Sequence, residues 1–344
     1  MRHLKIGILS TPLIECPPKT YGGLERVNYD LCNALSQMGH KVILYAPTGS
    51  VKPEKAYLYE TGNPTGLKCN WLQEEQNMWD KVKHTFGDLD IIHGSNWFGM
   101  EYASKREHPE YKCCHTHHGG MDMNWWGNPP FKLNIISISK WMEKVYESQN
   151  CKARYVYNGI DLDLYPYKEN HGERLMFLGR IDPIKAPHVA IQVAEQTKTP
   201  IDIVGGTSFV QDMNYVQQIK TACERSPYAN FVGEVDHATK MKYLQEAKAL
   251  LIPSQFGEPF GLVVIEALAC GTPTIALNDG ALGEIITPDV GAVCNSVGEL
   301  KQAVNRIDTF SPQDCRKRAE VFSKERCAEA YLERYKQVLD GDEW

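Results

Sequence analysis

The stretch GEPFGLVVIEALACGTP, residues 257–273, carries two carboxylates eight positions apart, Glu258 and Glu266. It follows the apolar run ALLIPS and opens a helix near Gly261. The first amides of a helix have no partner inside it, and the helix dipole adds positive potential there. The backbone from Phe260 through Gly261 and Leu262 to Val263 is therefore a natural anion site. Ionised carboxylates only accept hydrogen bonds, so Glu258, in the loop, and Glu266, inside the helix, suit hydroxyls rather than phosphates. Together the segment offers amides for a phosphate and two carboxylates for sugar hydroxyls. Two solvated glutamates flanking an ordinary strand–helix turn are the plain alternative.

A second stretch, GRIDPIKAPHVA at 179–190, holds Arg180 and Lys185 on either side of a proline turn just after an apolar strand. Two cations on a rigid turn serve the solvent or grip an anion. Near the start, YGGLERV sets Gly22 and Gly23 after the first strand and a rather long loop. Glycines there allow close backbone approach to a phosphate or sugar, or simply a tight loop with positive φ. His118 ends the run CCHTHH; His115 and His117 alternate with it, so the three cannot share one strand face. A Cys/His metal site would lack a distant pair to complete it. His93, in IIHGSN, reads as a structural histidine, and the DLD triplets at 88–90 and 161–163 as turn or capping aspartates.

The elements that must position these residues repeat one rhythm. Short apolar runs (LKIGILS, KVILYAP, LDIIHGS, YKCCHTHH, NIISIS, KARYVYNGI) alternate with helical patterns, and the rhythm restarts at RLMFLGR, PIDIVGG, ANFVGEV, ALLIPS, TPTIALN and GAVCN. Such alternation implies parallel sheets with helices on both faces. A chain of 344 residues is too long for one typical core. The expected architecture is α/β: two doubly wound Rossmann-like domains facing across a cleft. They are placed at 1–165 and 166–322, with the polar segment 161–173 as joint and a C-terminal helix, 323–344, returning to the first domain. In doubly wound sheets, ligands sit at the carboxyl ends of the strands.

Net charge is −6, which argues against a general nucleic-acid binder but leaves room for a local cationic pocket. Eleven cysteines without a C-x-x-C pair fit a reducing cytosol rather than a disulfide framework. The opening MRHLKIGILSTPLIECPPK has too short an apolar run for a secretory leader, and no stretch approaches 18 apolar residues. A cytoplasmic protein is expected, with membrane-surface contact open but not indicated.

Here a resemblance becomes specific. Glu258 and Glu266 match the E-x7-E motif of retaining glycosyltransferases with the GT-B fold, in the family 4 branch related to glycogen synthases. GRIDPIKA is similar to that family's G-R-x-x-x-x-K-G element, with Ala186 where Gly is usual. YGGLERV resembles its amino-terminal glycine loop, YNGID its N-G-[IV]-D segment at the domain joint, and THHGG its T-x-H-G strand end. All stand in family order and cover nearly the whole chain.

The resemblance implies roles. Arg180 and Lys185 bind the diphosphate of a nucleotide-sugar donor, with the amides around Phe260, Gly261 and Leu262. Glu266 holds the ribose hydroxyls and Glu258 those of the transferred hexose. Gly23, with Gly22, touches the donor in a loop closing over donor and acceptor. His118 contacts the transferred sugar near the anomeric centre, with His117 as the alternative one residue away. Breaking the sugar–phosphate bond leaves negative charge on a nucleoside diphosphate, which two preorganised cations and helix-terminal amides stabilise. No metal and no cofactor is implied. The family precedent is a front-side displacement in which the leaving phosphate helps take the acceptor proton, without the carboxylate nucleophile of retaining glycosidases.

UDP-glucose, UDP-N-acetylglucosamine and GDP-mannose are the candidate donors; a glycan, lipid or small-molecule hydroxyl is the acceptor. Base recognition is expected near FVGEV, and acceptor choice in first-domain loops such as MDMNWWGNPPF, where Trp125 and Trp126 could stack on a sugar or merely pack. A nucleotide-sugar 2-epimerase and a non-catalytic nucleotide-sugar-binding protein are the rival readings. A phosphorylase is disfavoured by the short chain and the lack of an evident pyridoxal lysine.

Overall fold

A computed structural model describes residues 2–20, 22–119, 134–169, 172–208 and 210–344. The chain divides into two compact units: Met1–Ile160 with Lys324–Trp344, and Asp161–Ser323. The division falls at Ile160 rather than after residue 165, and Tyr165 gives the reason. Its side chain is buried within the second unit, where its hydroxyl donates to Glu266 at 2.9 Å.

The first unit is built on seven parallel strands: β1 (Lys5–Leu9), β2 (Lys41–Ala46), β3 (Tyr57–Glu60), β4 (Ile91–Gly94), β5 (Cys113–His117), β6 (Ile135–Ser137) and β7 (Ala153–Tyr155). Their order is β3-β2-β1-β4-β5-β6-β7. Central strands of a parallel sheet are covered on both faces, so they read as continuous apolar runs. Every residue of β4 and β5 is buried, and four of the five in β1. The edge strand β3 is absent from the sequence reading because its four residues are exposed or half-buried and show no such run. The helix Gly23–Gln37 lays Val27, Leu31 and Leu35 into the core. Against it packs the final helix Lys324–Asp340, whose Tyr331 and Tyr335 are fully buried. Their hydroxyls bond Thr116 Oγ1 (2.9 Å) and His93 Nδ1 (2.7 Å), which docks the last helix onto the first unit's sheet.

The second unit holds β8 (Arg174–Leu178), β9 (Ile201–Val204), β10 (Ala229–Gly233), β11 (Ala247–Ile252), β12 (Thr274–Leu277) and β13 (Gly291–Cys294). All pair in parallel in the order β10-β9-β8-β11-β12-β13. Its core gathers Leu175, Phe177, Ile203, Leu251 and Ile275 from the strands under Val189 and Val193 of the helix Pro187–Thr197. In each sheet the chain winds outward from one central strand and then returns to that strand's other side. The reversal lies between β1 and β4 in the first unit and between β8 and β11 in the second. There the loops leaving adjacent strands diverge to opposite faces and leave a crevice at the strands' carboxyl ends.

Candidate active site

The strand order of the second unit makes neighbours of two loops far apart in sequence, those after β8 and after β11. In the first, the Asp182 carboxylate accepts from the Ile184 amide at 3.2 Å, and Pro183 stiffens the turn. The Ile184 carbonyl then accepts from the Gln255 amide of the second loop at 3.2 Å, which ties the two together. Across this tie Lys185 Nζ donates to Glu258 Oε2 at 2.6 Å and lies 4.2 Å from the centre of the Phe256 ring. Arg180 sits beside them. Its Nη1 is 4.0 Å from Asp182 Oδ2, and its buried Nε has no hydrogen-bond partner among the described residues.

The β12 loop braces the loop that carries Glu258. The Asp279 carboxylate accepts from the backbone amides of Phe256 (3.1 Å), Gly257 (2.8 Å) and Glu258 (3.2 Å). The Glu258 carbonyl accepts in turn from Ala281 at 2.8 Å. Between the two, Gly280 has φ +57° and lies so close that a Cβ would meet the Glu258 carbonyl oxygen at 2.2 Å. Only glycine fits there.

Helix starts separate into two kinds. Six helices of the described chain begin on a side-chain cap, from Asn70, Ser139, Asp212, Asp236, Ser296 and Ser311. The four that follow the switch-point strands begin on Gly22, Met100, Ala186 and Gly261 and have none. The one-turn helix Leu282–Ile285 shares this lack. Uncapped amides at the carboxyl ends of these strands are donors that a ligand can use. Phe260, the residue before this start, is itself buried against Phe322. Inside the helix Leu262–Ala269, Glu266 is buried, and its Oε1 accepts from Tyr165 Oη (2.9 Å) and Lys240 Nζ (2.7 Å). Oε2 has no partner among the described residues, so one side of this carboxylate is held while the other can accept.

In the first unit Gly22 precedes the helix Gly23–Gln37 with φ +153°, where a Cβ would lie 2.7 Å from both Ile14 and Pro18. His118 follows β5, half-buried, with Nε2 2.9 Å from Ser95 Oγ. The Ser95 amide donates to the Leu9 carbonyl at 2.9 Å, linking His118 to the β1–β4 switch point. Burial, with His115 and His117 nearby, pulls the His118 imidazole down to about 3. It is therefore neutral at physiological pH, able to form hydrogen bonds but carrying no charge. The other histidines are committed: His117 to the Tyr146 hydroxyl, His115 to Glu101 (2.8 Å), and His93 to Tyr335 and Thr116 (both 2.7 Å).

Family comparisons cover nearly all of the chain. The model described as "Glycosyl transferases group 1" matches residues 167–326, and "Glycosyltransferase Family 4" matches residues 21–164. The chain belongs to the group 1 glycosyltransferases. A glycogen synthase of Mycobacterium tuberculosis is 25% identical over 85% of this chain and 84% of its own. AviGT4, a glycosyltransferase involved in avilamycin A biosynthesis, superposes with a TM-score of 0.78 at 22% identity over 99% of both chains. Anabaena HepE, solved in complex with UDP-glucose, superposes with a TM-score of 0.74 at 16% identity over 97% of this chain and all of that one. These neighbours share the two-domain GT-B fold.

In this glycosyltransferase Arg180 and Lys185 stand in the loop after β8, and Glu258, Phe260 and Gly261 in the loop after the neighbouring β11, with Leu262 opening the helix in which Glu266 lies about one turn further on. Gly22, Gly23 and His118 lie at strand ends of the other sheet. Trp125 and Trp126 lie outside the described residues. Ala186 explains why glycine is usual at its position: it adopts φ 51°, ψ 47°, a left-handed conformation that costs a residue with a Cβ about 1–2 kcal/mol. The acidic triplets serve backbone amides, Asp90 accepting from Lys5 (2.8 Å) and Asp161 from Asp163 (3.2 Å). Sequence reasoning missed Asp279, Gly280, Tyr165 and Lys240. The Asp-Gly pair after TPTIALN was a visible turn signal for the first two. Tyr165 stands 101 positions from Glu266 and Lys240 stands 26, so no local pattern marks them.

Proposed function

We propose that this protein is a retaining glycosyltransferase that moves a hexosyl unit from a UDP- or GDP-linked sugar to the hydroxyl of a glycan, lipid or small molecule. The observation that carries the reading is the convergence of Arg180, Lys185 and Glu258 with an uncapped helix start at the β8–β11 switch point. A diphosphate there meets two cations and free amides, and the charge that develops as the sugar departs is stabilised by groups already in place. The same groups supply the neutralisation that a divalent cation gives elsewhere, so no metal is required. Glu266, steadied by Tyr165 and Lys240, takes the ribose hydroxyls, and Glu258 the hydroxyls of the hexose. The first unit is assigned the acceptor, and at its strand ends neutral His118 is the group suited to hydrogen-bond a sugar hydroxyl. HepE, whose crystals hold UDP-glucose, supports a nucleotide-sugar donor by likeness of fold. Eleven free cysteines fit a reducing cytosol.

The test is a thermal-shift panel of UDP, GDP, ADP and their sugars, because a ligand bound only by the folded state raises the melting temperature by mass action. One nucleoside diphosphate should stabilise the protein with excess chelator present. Arg180→Ala and Lys185→Ala should abolish that shift and cut transfer by roughly 10²-fold, the loss that follows removal of one preorganised charge stabiliser. No shift with any nucleotide, or full activity in both variants, refutes the reading.

A further inference from the structure

We infer that Glu258 makes the donor site prefer an intact nucleotide sugar over the nucleoside diphosphate left after transfer, by exchanging Lys185 for a sugar hydroxyl. The inference rests on the donor reading above and adds a role for the ion pair within it. One of the loop's two cations is already taken: Lys185 Nζ and Glu258 Oε2 are 2.6 Å apart, with side chains only 20% and 12% exposed. The Phe256 ring covers a further side of the ammonium at 4.2 Å. A phosphate oxygen that reaches Lys185 must therefore approach the Glu258 carboxylate as well. Like charges at that range repel strongly when partly shielded from water.

The carboxylate has one way out. Its backbone is fixed by the Asp279 clasp and by the Ala281 amide, so only its own side-chain torsions can turn it from Lys185. Removing one partner of an enclosed ion pair is costly unless the other finds new bonds. An intact donor supplies them, because the hexose hydroxyls donate to the released carboxylate. A nucleoside diphosphate does not, and Glu258 is left unpaired beside an anion. After transfer, the return of Glu258 to Lys185 opposes the bound product and speeds its departure, a step that limits turnover in many enzymes.

Calorimetry with UDP and GDP, alongside UDP-glucose and GDP-mannose without acceptor, tests this on wild type and Glu258→Gln. Glutamine keeps the shape and removes the charge, and a melting curve verifies that the variant is folded. For the base that the wild type binds, Glu258→Gln should tighten the nucleoside diphosphate by about tenfold, the range of close charge-pair couplings. The nucleotide sugar should not tighten, because the gain is offset by the weaker bond that a neutral amide oxygen makes to the sugar hydroxyls. The ratio of the two dissociation constants should fall accordingly. Equal tightening of both ligands would mean simple repulsion without exchange, and no tightening of the diphosphate would mean that the pair is not broken; either overturns the inference. A wild type that binds no nucleotide at all overturns the donor reading itself, and that result needs no variant.

Discussion

Replacing Asp279 with asparagine tests how the Glu258 loop is held. The carboxylate accepts three backbone amides, two of them on Oδ2. Asparagine keeps one acceptor oxygen, and its amide nitrogen must face one or two N–H donors, so one or two bonds are lost or inverted. Hydrogen bonds to a charged group contribute about 1.5–3 kcal/mol each, which gives a nominal loss of about 1.5–6 kcal/mol. Phe256 is 36% exposed, so water can satisfy part of the loop, and about 2–3 kcal/mol is the better expectation. In a unit of this size that lowers the melting temperature by roughly 4–12 °C. Transfer should suffer more than stability. The loop carries Glu258 and, through Phe256, one wall of the Lys185 site, and a displacement of about 1 Å near reacting groups costs about 10²-fold. The assay is release of nucleoside diphosphate from the donor that stabilises the wild type, run well below the variant's melting temperature. Because Asp279 acts through Glu258, Asp279→Asn placed on Glu258→Gln should slow transfer little further. A lower melting temperature with transfer within threefold of wild type would show that the clasp serves stability alone, and additive losses in the double variant would show that it does not act through Glu258.

Two further outcomes follow from the same geometry. Glu266→Ala should weaken nucleoside diphosphate binding by roughly 10- to 100-fold, and Tyr165→Phe, which leaves the carboxylate with Lys240 alone, by a smaller factor with kcat little changed; calorimetry and steady-state kinetics check both. Burial holds His117 and His118 at about 3, below the value of about 6.5 they take in an unfolded chain. Folded, they stay neutral while the unfolded chain binds protons, so their contribution is complete above about pH 6.5 and is lost as the pH falls towards 3. Urea unfolding at pH 7 and pH 5 should differ by up to about 2 kcal/mol per histidine, somewhat less for half-buried His118. The pH–rate profile should show no step near 6.5 that His118→Gln removes.

Much of the fold was legible because buried parallel strands leave a plain mark. Strands covered on both faces are mostly apolar, and β1, β4, β9 and β12 each carry at least two of Ile, Leu, Val and Ala within four or five residues. The edge strand β3 escapes that logic, since half of its surface meets solvent and its residues need not be apolar. The E-x7-E spacing was equally legible, because a loop and the helix that follows it are local and their geometry depends on chain distance alone.

What the sequence by itself determined is therefore the alternation of elements, the positions of the loops and the residue types that stand in them. Only the tertiary structure decided which of those loops meet. Lys185 and Glu258 are 73 positions apart and touch because β11 pairs beside β8 rather than beside β10. The same pairing order brings Asp279 under the Glu258 loop, and the helix His237–Glu246, packed against the helix Leu262–Ala269, sends Lys240 to Glu266. Periodicity reports which face of an element is buried, but it is the same for every order in which strands can be laid side by side. The partners of a charged side chain follow from that order, and with them whether Lys185 stands unpaired or, as here, already holds a carboxylate.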